Sequence, residues 1–153
     1  MSEPASGETL EFSVTNDLRG ISSAAARIDA FCAAHDLASA ISFDVTLAVD
    51  ELLTNAIGYG YDDDGEHRID TALRLEGGTL TVEIADEGKA FDPLQDPEPD
   101  FSAPAEERAR GGLGIYLVRK TMDTVEYRRE NGRNVVTLTI DARPRPIVSR
   151  AVV

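Results

Sequence analysis

Glu51 and Asn55 stand four residues apart in the run Glu51-Leu52-Leu53-Thr54-Asn55-Ala56, a spacing that on a helix points both side chains the same way. With Glu51 at 0° on a wheel of roughly 100° per residue, Asn55 falls near 40°, and Val45, Ala48, Val49, Leu52, Leu53 and Ala56 fill the arc from about 60° to 200°. The pair therefore borders an apolar stripe, where it can line a space between the helix and a neighbouring layer. A carboxylate there can take a proton from a nucleophile. An amide oxygen suits Mg²⁺, a hard cation that prefers oxygen ligands. Asn is a poor residue for a helix interior, so its presence asks for a reason. The same acid–amide spacing also occurs on ordinary solvated helix faces, and the pair alone does not decide between the two.

Two further segments carry chemistry of a matching kind. Asp86 ends an alternating apolar run and Gly88 follows it in Asp86-Glu87-Gly88-Lys89-Ala90-Phe91. A carboxylate accepts hydrogen bonds, so it can read the exocyclic amino group of adenine, and glycine lets a backbone come close to a flat base. A plain turn after a strand has the same residues. Gly111-Gly112-Leu113-Gly114 precedes an amphipathic run through Ile115, Val118 and Met122. Free amides at a helix start bind phosphate, although a linker-to-helix junction is also glycine-rich. Three such segments in this order suggest a pocket for ATP and its magnesium. The G-x-x-x-x-G-K-[ST] loop is absent, and so is the H-R-D loop of eukaryotic protein kinases. His35, His67 and Cys32 have no metal-ligand spacing.

These groups need a scaffold, and the periodicity supplies one. Leu10, Phe12 and Val14 alternate in a strand of about 10–15, and residues 18–36 carry a helical stripe through Ala24, Ile28, Phe31 and Cys32. Ser42 is a suitable cap for a second helix, with Asp44 in its first turn favoured by the dipole and Gly58 as its stop. Residues 59–65 read as a loop. Strands follow over about 69–75 and 80–86, joined at Gly77-Gly78. A proline-rich, acidic stretch then runs from Pro93 to Arg110, a length found in loops that are either functional or disordered. A helix over 112–122 leads to strands near 124–130 and 135–140, with Asn131-Gly132 as the hairpin between them. The order β-α-α-β-β-loop-α-β-β gives an α/β, two-layer α+β sandwich: an antiparallel or mixed sheet, taken as mixed, with helices on one face.

With 153 residues and 42% apolar content, the chain suits one globular domain. No apolar run reaches the roughly 18 residues of a membrane span, the N-terminal residues lack a signal pattern, and the single cysteine allows no internal disulfide. A cytoplasmic protein without membrane contact is the expectation. The net charge of −13 argues against direct nucleic-acid binding, and Arg128-Arg129 and Arg143-Pro144-Arg145 read as solvated groups. The charge is uneven: residues 1–107 hold 24 acids and 5 bases, residues 108–153 hold 4 acids and 10 bases. A basic tail beside an acidic surface explains this, as does a basic face for a polyphosphate or an acidic partner.

Taken together, the segments resemble the GHKL superfamily of ATP-binding domains, found in histidine kinases, gyrase-type topoisomerases, mismatch-repair proteins and heat-shock chaperones. Glu51 to Asn55 looks like its N box, Asp86 to Gly88 its first glycine box and Gly112 to Gly114 its second. The wording DELLTNAI…YGY, DEGKAFDP and GGLGIYLV is most similar to bacterial anti-sigma-factor serine/threonine kinases, over residues 8–141, with 1–7 and 142–153 as flexible ends. The resemblance implies ATP·Mg²⁺ held between sheet and helices under a mobile lid, residues 94–110. It implies Asn55 as the magnesium ligand, Glu51 as general base and Arg110 as a charge-neutralising group. Asp86 would bind the adenine amino group, Gly88 would leave room for the base, and Phe91 would flank it. Gly111, Gly112, Leu113 and Gly114 would hold the phosphates.

Two positions depart from the family pattern. Gly58-Tyr59-Gly60-Tyr61 stands where the family often has His, and Arg133-Asn134 where it often has Gly-Thr, leaving Asn134 as a hydrogen-bonding group near adenine. The implied partners are a sigma factor and a small anti-sigma-factor antagonist whose serine is phosphorylated, with a homodimer as the family's frequent assembly. A nucleotide-binding module without transfer and a stand-alone ATPase are the alternatives. No phosphoacceptor-histidine helix or sensor region fits within the 153 residues, so a complete histidine kinase is not expected.

Overall fold

The computed structural model describes residues 8–95 and 112–144. Five strands and three helices are present among them: β1 (Glu8–Thr15), α1 (Leu18–Ala34), α2 (Ser39–Gly60), β2 (Arg68–Glu76), β3 (Thr79–Asp86), α3 (Gly112–Thr121), β4 (Thr124–Glu130) and β5 (Arg133–Asp141), with one 3₁₀ turn at Pro93–Gln95. Arg110, Gly111, the ends 1–7 and 145–153 and all of the expected lid except Leu94 and Gln95 lie outside the described residues.

The strands form one sheet in the order β1-β2-β3-β5-β4, and every pair is antiparallel. The expected mixed sheet is thus corrected to an antiparallel one, and the connections explain why. Two helices in succession between β1 and β2 return the chain in the opposite direction. Gly77 and Gly78, at φ +60° and +83°, and Asn131 and Gly132, at +53° and +77°, make tight two-residue hairpins. The crossover through α3 leaves a gap beside β3 that β5 fills. Leu73, Leu80, Val82 and Leu138 on the inner face are fully buried against Ile28, Val45, Val49 and Leu53 of the helices. The last strand's pairing continues one residue on, where the Ala142 N–H donates to the Gly78 carbonyl.

Helix boundaries depart from the sequence reading in three places. Ser42 does not cap α2, which begins at Ser39 with Ala38 as its uncapped N-cap. Ser42 lies buried inside the helix and its hydroxyl donates to Asp29 Oδ1 at 3.1 Å, tying α2 to α1. Asp44 therefore sits beyond the first turn. α1 stops at Ala34 because Asp36 turns left-handed (φ +57°), and Leu37 N–H then caps the Cys32 carbonyl. α2 passes through Gly58 and ends at Gly60.

The glycines explain the third departure. A β-carbon at Gly58 would meet nothing within 4 Å, whereas one at Gly20 would collide with the carbonyl of Thr15, where α1 folds back onto the end of β1. Gly58 is a weak helix residue that the helix tolerates; Gly20 is required by contact. Gly58→Ala is expected to stabilise the protein by about 0.5–1 kcal/mol, and Gly20→Ala to destabilise it by about 1–3 kcal/mol. Urea unfolding of both variants checks this, and a destabilised Gly58→Ala would contradict a continuous α2.

Candidate nucleotide-binding site

The topology brings the chemistry-bearing residues to one end of the sandwich. α2 ends at the edge where β3 ends and β5 begins: Asp86 pairs with Asn134 in the sheet register. A β-carbon on Gly88 would lie 2.7 Å from the Gly60 carbonyl oxygen and 2.8 Å from its Cα. The space that Gly88 leaves is thus occupied by the end of α2, and Lys89 N–H caps the Gly60 carbonyl at 2.8 Å. α3 starts at the same end. A β-carbon at Gly114 would overlap the Glu51 carboxylate, so the second glycine segment packs directly against the N-box acid.

Inside this corner Asp86 and Asn134 are 5% exposed and Asn55 is 7% exposed. Asp86 Oδ1 accepts from Gly88 N–H at 2.8 Å and from Asn134 Nδ2 at 3.0 Å. Asn134 Nδ2 also donates to the Lys89 carbonyl at 2.8 Å, while Asn134 Oδ1 accepts from Phe91 N–H at 3.1 Å and Tyr127 O–H at 2.7 Å. Arg129 Nη1 donates to the Gly88 carbonyl at 2.9 Å. The loop after β3 is thus laced to β4 and β5. In contrast, no hydrogen bond among the described residues engages Asp86 Oδ2, the Asn55 amide or the Glu51 carboxylate.

Asn55, Ala56, Gly60, Asp86, Phe91 and Asn134 line a cleft between α2 and the sheet. Its volume is about 20 Å³, room for about one water. The Phe91 ring borders it and stacks on Tyr59, with centroids 4.6 Å apart and planes 14° apart. The cleft as it stands is too small for a purine, and the Phe91 ring stacked on Tyr59 is the group that would have to turn aside to admit one. Roomier concavities lie elsewhere, among them one of about 530 Å³ beside Asn16, Asp17 and Glu66 and one of about 520 Å³ beside Ile41, Met122 and Arg143. Neither gathers the groups described above, so size does not select the site.

Glu51 is half-buried, and burial first, then the Asp50 charge, raises its carboxyl pKa above the ordinary value. These oxygens suit magnesium: a buried amide with no partner among the described residues, one turn from a carboxylate, offers the hard donors that ion prefers. Gly112 and Leu113 open α3, whose first-turn amides have no helical acceptor. The structure thus unites Glu51, Asn55, Asp86, Gly88, Phe91, Gly114 and Asn134. Tyr127, Arg129 and Gly60 were not foreseen. The Asn131-Gly132 turn could have found two of them, since it sets Arg129 opposite Asn134 and Tyr127 opposite Val136.

A two-layer sandwich with a carboxylate–amide helix facing a strand-end aspartate defines a nucleotide-binding domain of the ATPase type. A family model for the histidine kinase-like ATPase domain matches residues 14–140, and the chain belongs to this family. It is similar to the serine/threonine-protein kinase BtrW of Bordetella bronchiseptica, 32% identical over 104 residues, covering 68% of this chain and 73% of BtrW. It is also similar to the anti-sigma F factor of Clostridium acetobutylicum, 34% identical over 97 residues, 59% of this chain and 62% of that protein. Among solved structures, the RsbU and RsbW domains of Rv1364c from Mycobacterium tuberculosis share the fold, with a TM-score of 0.66 at 18% identity over 93% of this chain and 35% of that one.

Because the Gly60 backbone and the hydrogen-bonded Asp86 carboxylate fill the space beside Gly88, a methyl group there has no flexible side-chain end to push aside. Gly88→Ala is expected to lose about 1–3 kcal/mol of stability, measured by urea unfolding. Gly114→Ala is expected to lose less, since the obstructing Glu51 head is the movable end of a side chain. An equal loss in both would contradict this packing.

Proposed function

We propose that this protein is an ATP-dependent serine/threonine protein kinase that acts as an anti-sigma factor in partner switching, phosphorylating a small antagonist protein and sequestering a sigma factor. The observation that carries the reading is the Glu51 carboxylate, which makes no hydrogen bond among the described residues and packs on Gly114 at the start of α3. A general base must reach the attacking hydroxyl beside the transferring phosphoryl group, and α3's first turn is a suitable phosphate cradle. The kinase name of BtrW and the anti-sigma name of the clostridial relative support the same reading.

In this reading Asp86 Oδ2 accepts from the adenine amino group and Asn55 holds the magnesium ion through its amide oxygen. When bound, that ion supplies charge neutralisation at the phosphates. Gly111, Gly112, Leu113 and Gly114 present backbone to the phosphates, and Arg110 at the end of the lid neutralises phosphoryl charge. Glu51 takes the serine hydroxyl proton. Its raised pKa suits that task, because a stronger base accepts the proton more readily.

Labelled ATP and a small candidate antagonist, sought among the genes beside this one, test the proposal. Glu51→Ala is expected to abolish phosphoryl transfer while ATP affinity stays within about threefold of the parent. Asn55→Ala is expected to weaken Mg·ATP binding about tenfold or more by calorimetry. Nucleotide binding without transfer in the parent would favour the non-catalytic module, and phosphate release without an acceptor the ATPase.

The pH profile gives a separate check. A base whose pKa is raised loses activity as pH falls through that raised value, so the acid limb of kcat should lie above the ordinary glutamate value of 4.5. Asp50→Asn removes one of the two causes and should move the limb to lower pH. A limb unmoved by Asp50→Asn and absent from the acid range would remove Glu51 from the mechanism.

A further inference from the structure

The Asn134 amide occupies a site with only one workable orientation. On one side it meets two donors, Phe91 N–H at 3.1 Å and Tyr127 O–H at 2.7 Å. On the other it meets two acceptors, the Lys89 carbonyl at 2.8 Å and Asp86 Oδ1 at 3.0 Å. A backbone N–H can only donate and a carbonyl can only accept. Flipping the amide would therefore oppose N–H to N–H and oxygen to oxygen at once. All four of its hydrogen-bonding places are used, so Asn134 has none left for a ligand.

Asn134 and Gly88 N–H together commit Asp86 Oδ1 to the protein. The carboxylate plane is thereby fixed, and Oδ2 is the oxygen left to the cleft that Asp86 lines. Resting on the nucleotide-binding reading above, we propose that Tyr127 and Asn134 form a positioning relay that makes Asp86 selective for a purine bearing an exocyclic amino group at its six position. Neither residue touches the base. Tyr127 holds Asn134, Asn134 holds Asp86, and Asp86 reads the amino group. The relay also reaches the Phe91 side of the cleft, since the same amide oxygen receives the Phe91 N–H, so the reading carboxylate and the moving wall share one anchor.

The relay accounts for a feature that the ATP reading leaves unused. Tyr127 lies on β4, the edge strand farthest from β1, and its side chain is partly buried against the core. An aromatic that only filled space there would need no hydroxyl. Its O–H instead ends on the one amide that carries the loop after β3. A site built to hydrogen-bond a substrate group rejects the analogue that lacks it, because its own polar atom is then left unpaired. That rejection is only as sharp as the acceptor is fixed, which is what the relay supplies.

Calorimetric affinities for ATP and for purine ribonucleoside triphosphate, which lacks only the exocyclic amino group, test this on the full chain. The parent is expected to prefer ATP by about tenfold or more. Tyr127→Phe keeps the ring and removes one donor, and should lower that preference by about threefold with purine ribonucleoside triphosphate affinity unchanged. Asn134→Ala should lower it further, towards equal binding. If either variant binds both nucleotides more weakly by the same factor, the residues are structural supports and the relay is overturned. Should Asn134→Ala fail to fold, the Tyr127→Phe ratio alone decides. A parent that binds neither nucleotide fails the underlying reading, whereas a parent that binds both equally fails only the relay.

Discussion

The contact between Gly60 and Gly88 fixes the geometry on which the site depends. α2 carries Glu51 and Asn55, and β3 carries Asp86; nothing in either element alone sets the distance between them. Two backbones without side chains meet there closely enough to exclude a β-carbon at Gly88, and the Lys89 N–H caps the helix end. A helix terminus has carbonyls that need partners, so this join satisfies a need of the helix while fixing the loop after β3. Moving α2 away by the width of a methyl group would release that cap and widen the cleft.

The uneven charge of the chain finds much of its balance across the sheet. Arg128 meets Glu83 and Glu130, Arg133 meets Asp70, and Arg143 meets Asp141. Arg129 gives its Nη1 to the Gly88 carbonyl. Most of these ion pairs are exposed and each contributes little to stability. Their effect is on how the field is distributed: Arg128 and Arg133 engage Glu83 and Asp70 of the N-terminal part, while Glu130 and Asp141, in the C-terminal third itself, hold Arg128 and Arg143. The reading of that third as a free basic face for a polyphosphate is weakened accordingly. The described cationic groups near the cleft serve its walls, as when Arg119 donates to the Leu94 carbonyl at the lid's first turn.

Periodicity and turn chemistry made most of the fold legible. The β4–β5 hairpin was readable because Asn-Gly demands left-handed residues and so fixes register, and β3 because Leu80, Val82 and Ile84 alternate without a break. The start of α2 was not, because its Ala38 cap has no side-chain signature and the apparent cap, Ser42, serves a contact with α1. Its end was not, because Gly58 and Gly60 look alike in sequence and differ only in what lies beside them. Glu51 and Asn55 were legible through helical spacing, and Asp86 through the place where the strand runs out. The role of Gly88 was only half legible: glycine announces a close approach, but not that the approaching group is another backbone. Tyr127 needed the partner's position across a hairpin, which spacing along one strand does not give.

What distinguishes this corner is how differently its two buried amides are used. Asn134 is buried with every hydrogen-bonding place filled, while Asn55, as deeply buried, has none filled among the described residues. The Asn55 amide, the half-buried Glu51 carboxylate and one oxygen of Asp86 are not among the fully enclosed atoms without a partner, which include Thr71 Oγ1 and Arg133 Nε. They therefore stand at the cleft with places open, and open groups that face one cleft are a preorganised site for a ligand that completes the set. The small volume of the cleft belongs to the same account: the Phe91 ring, stacked on Tyr59, borders it. The saturated amide thus holds the frame, and the unsaturated one waits on what enters it.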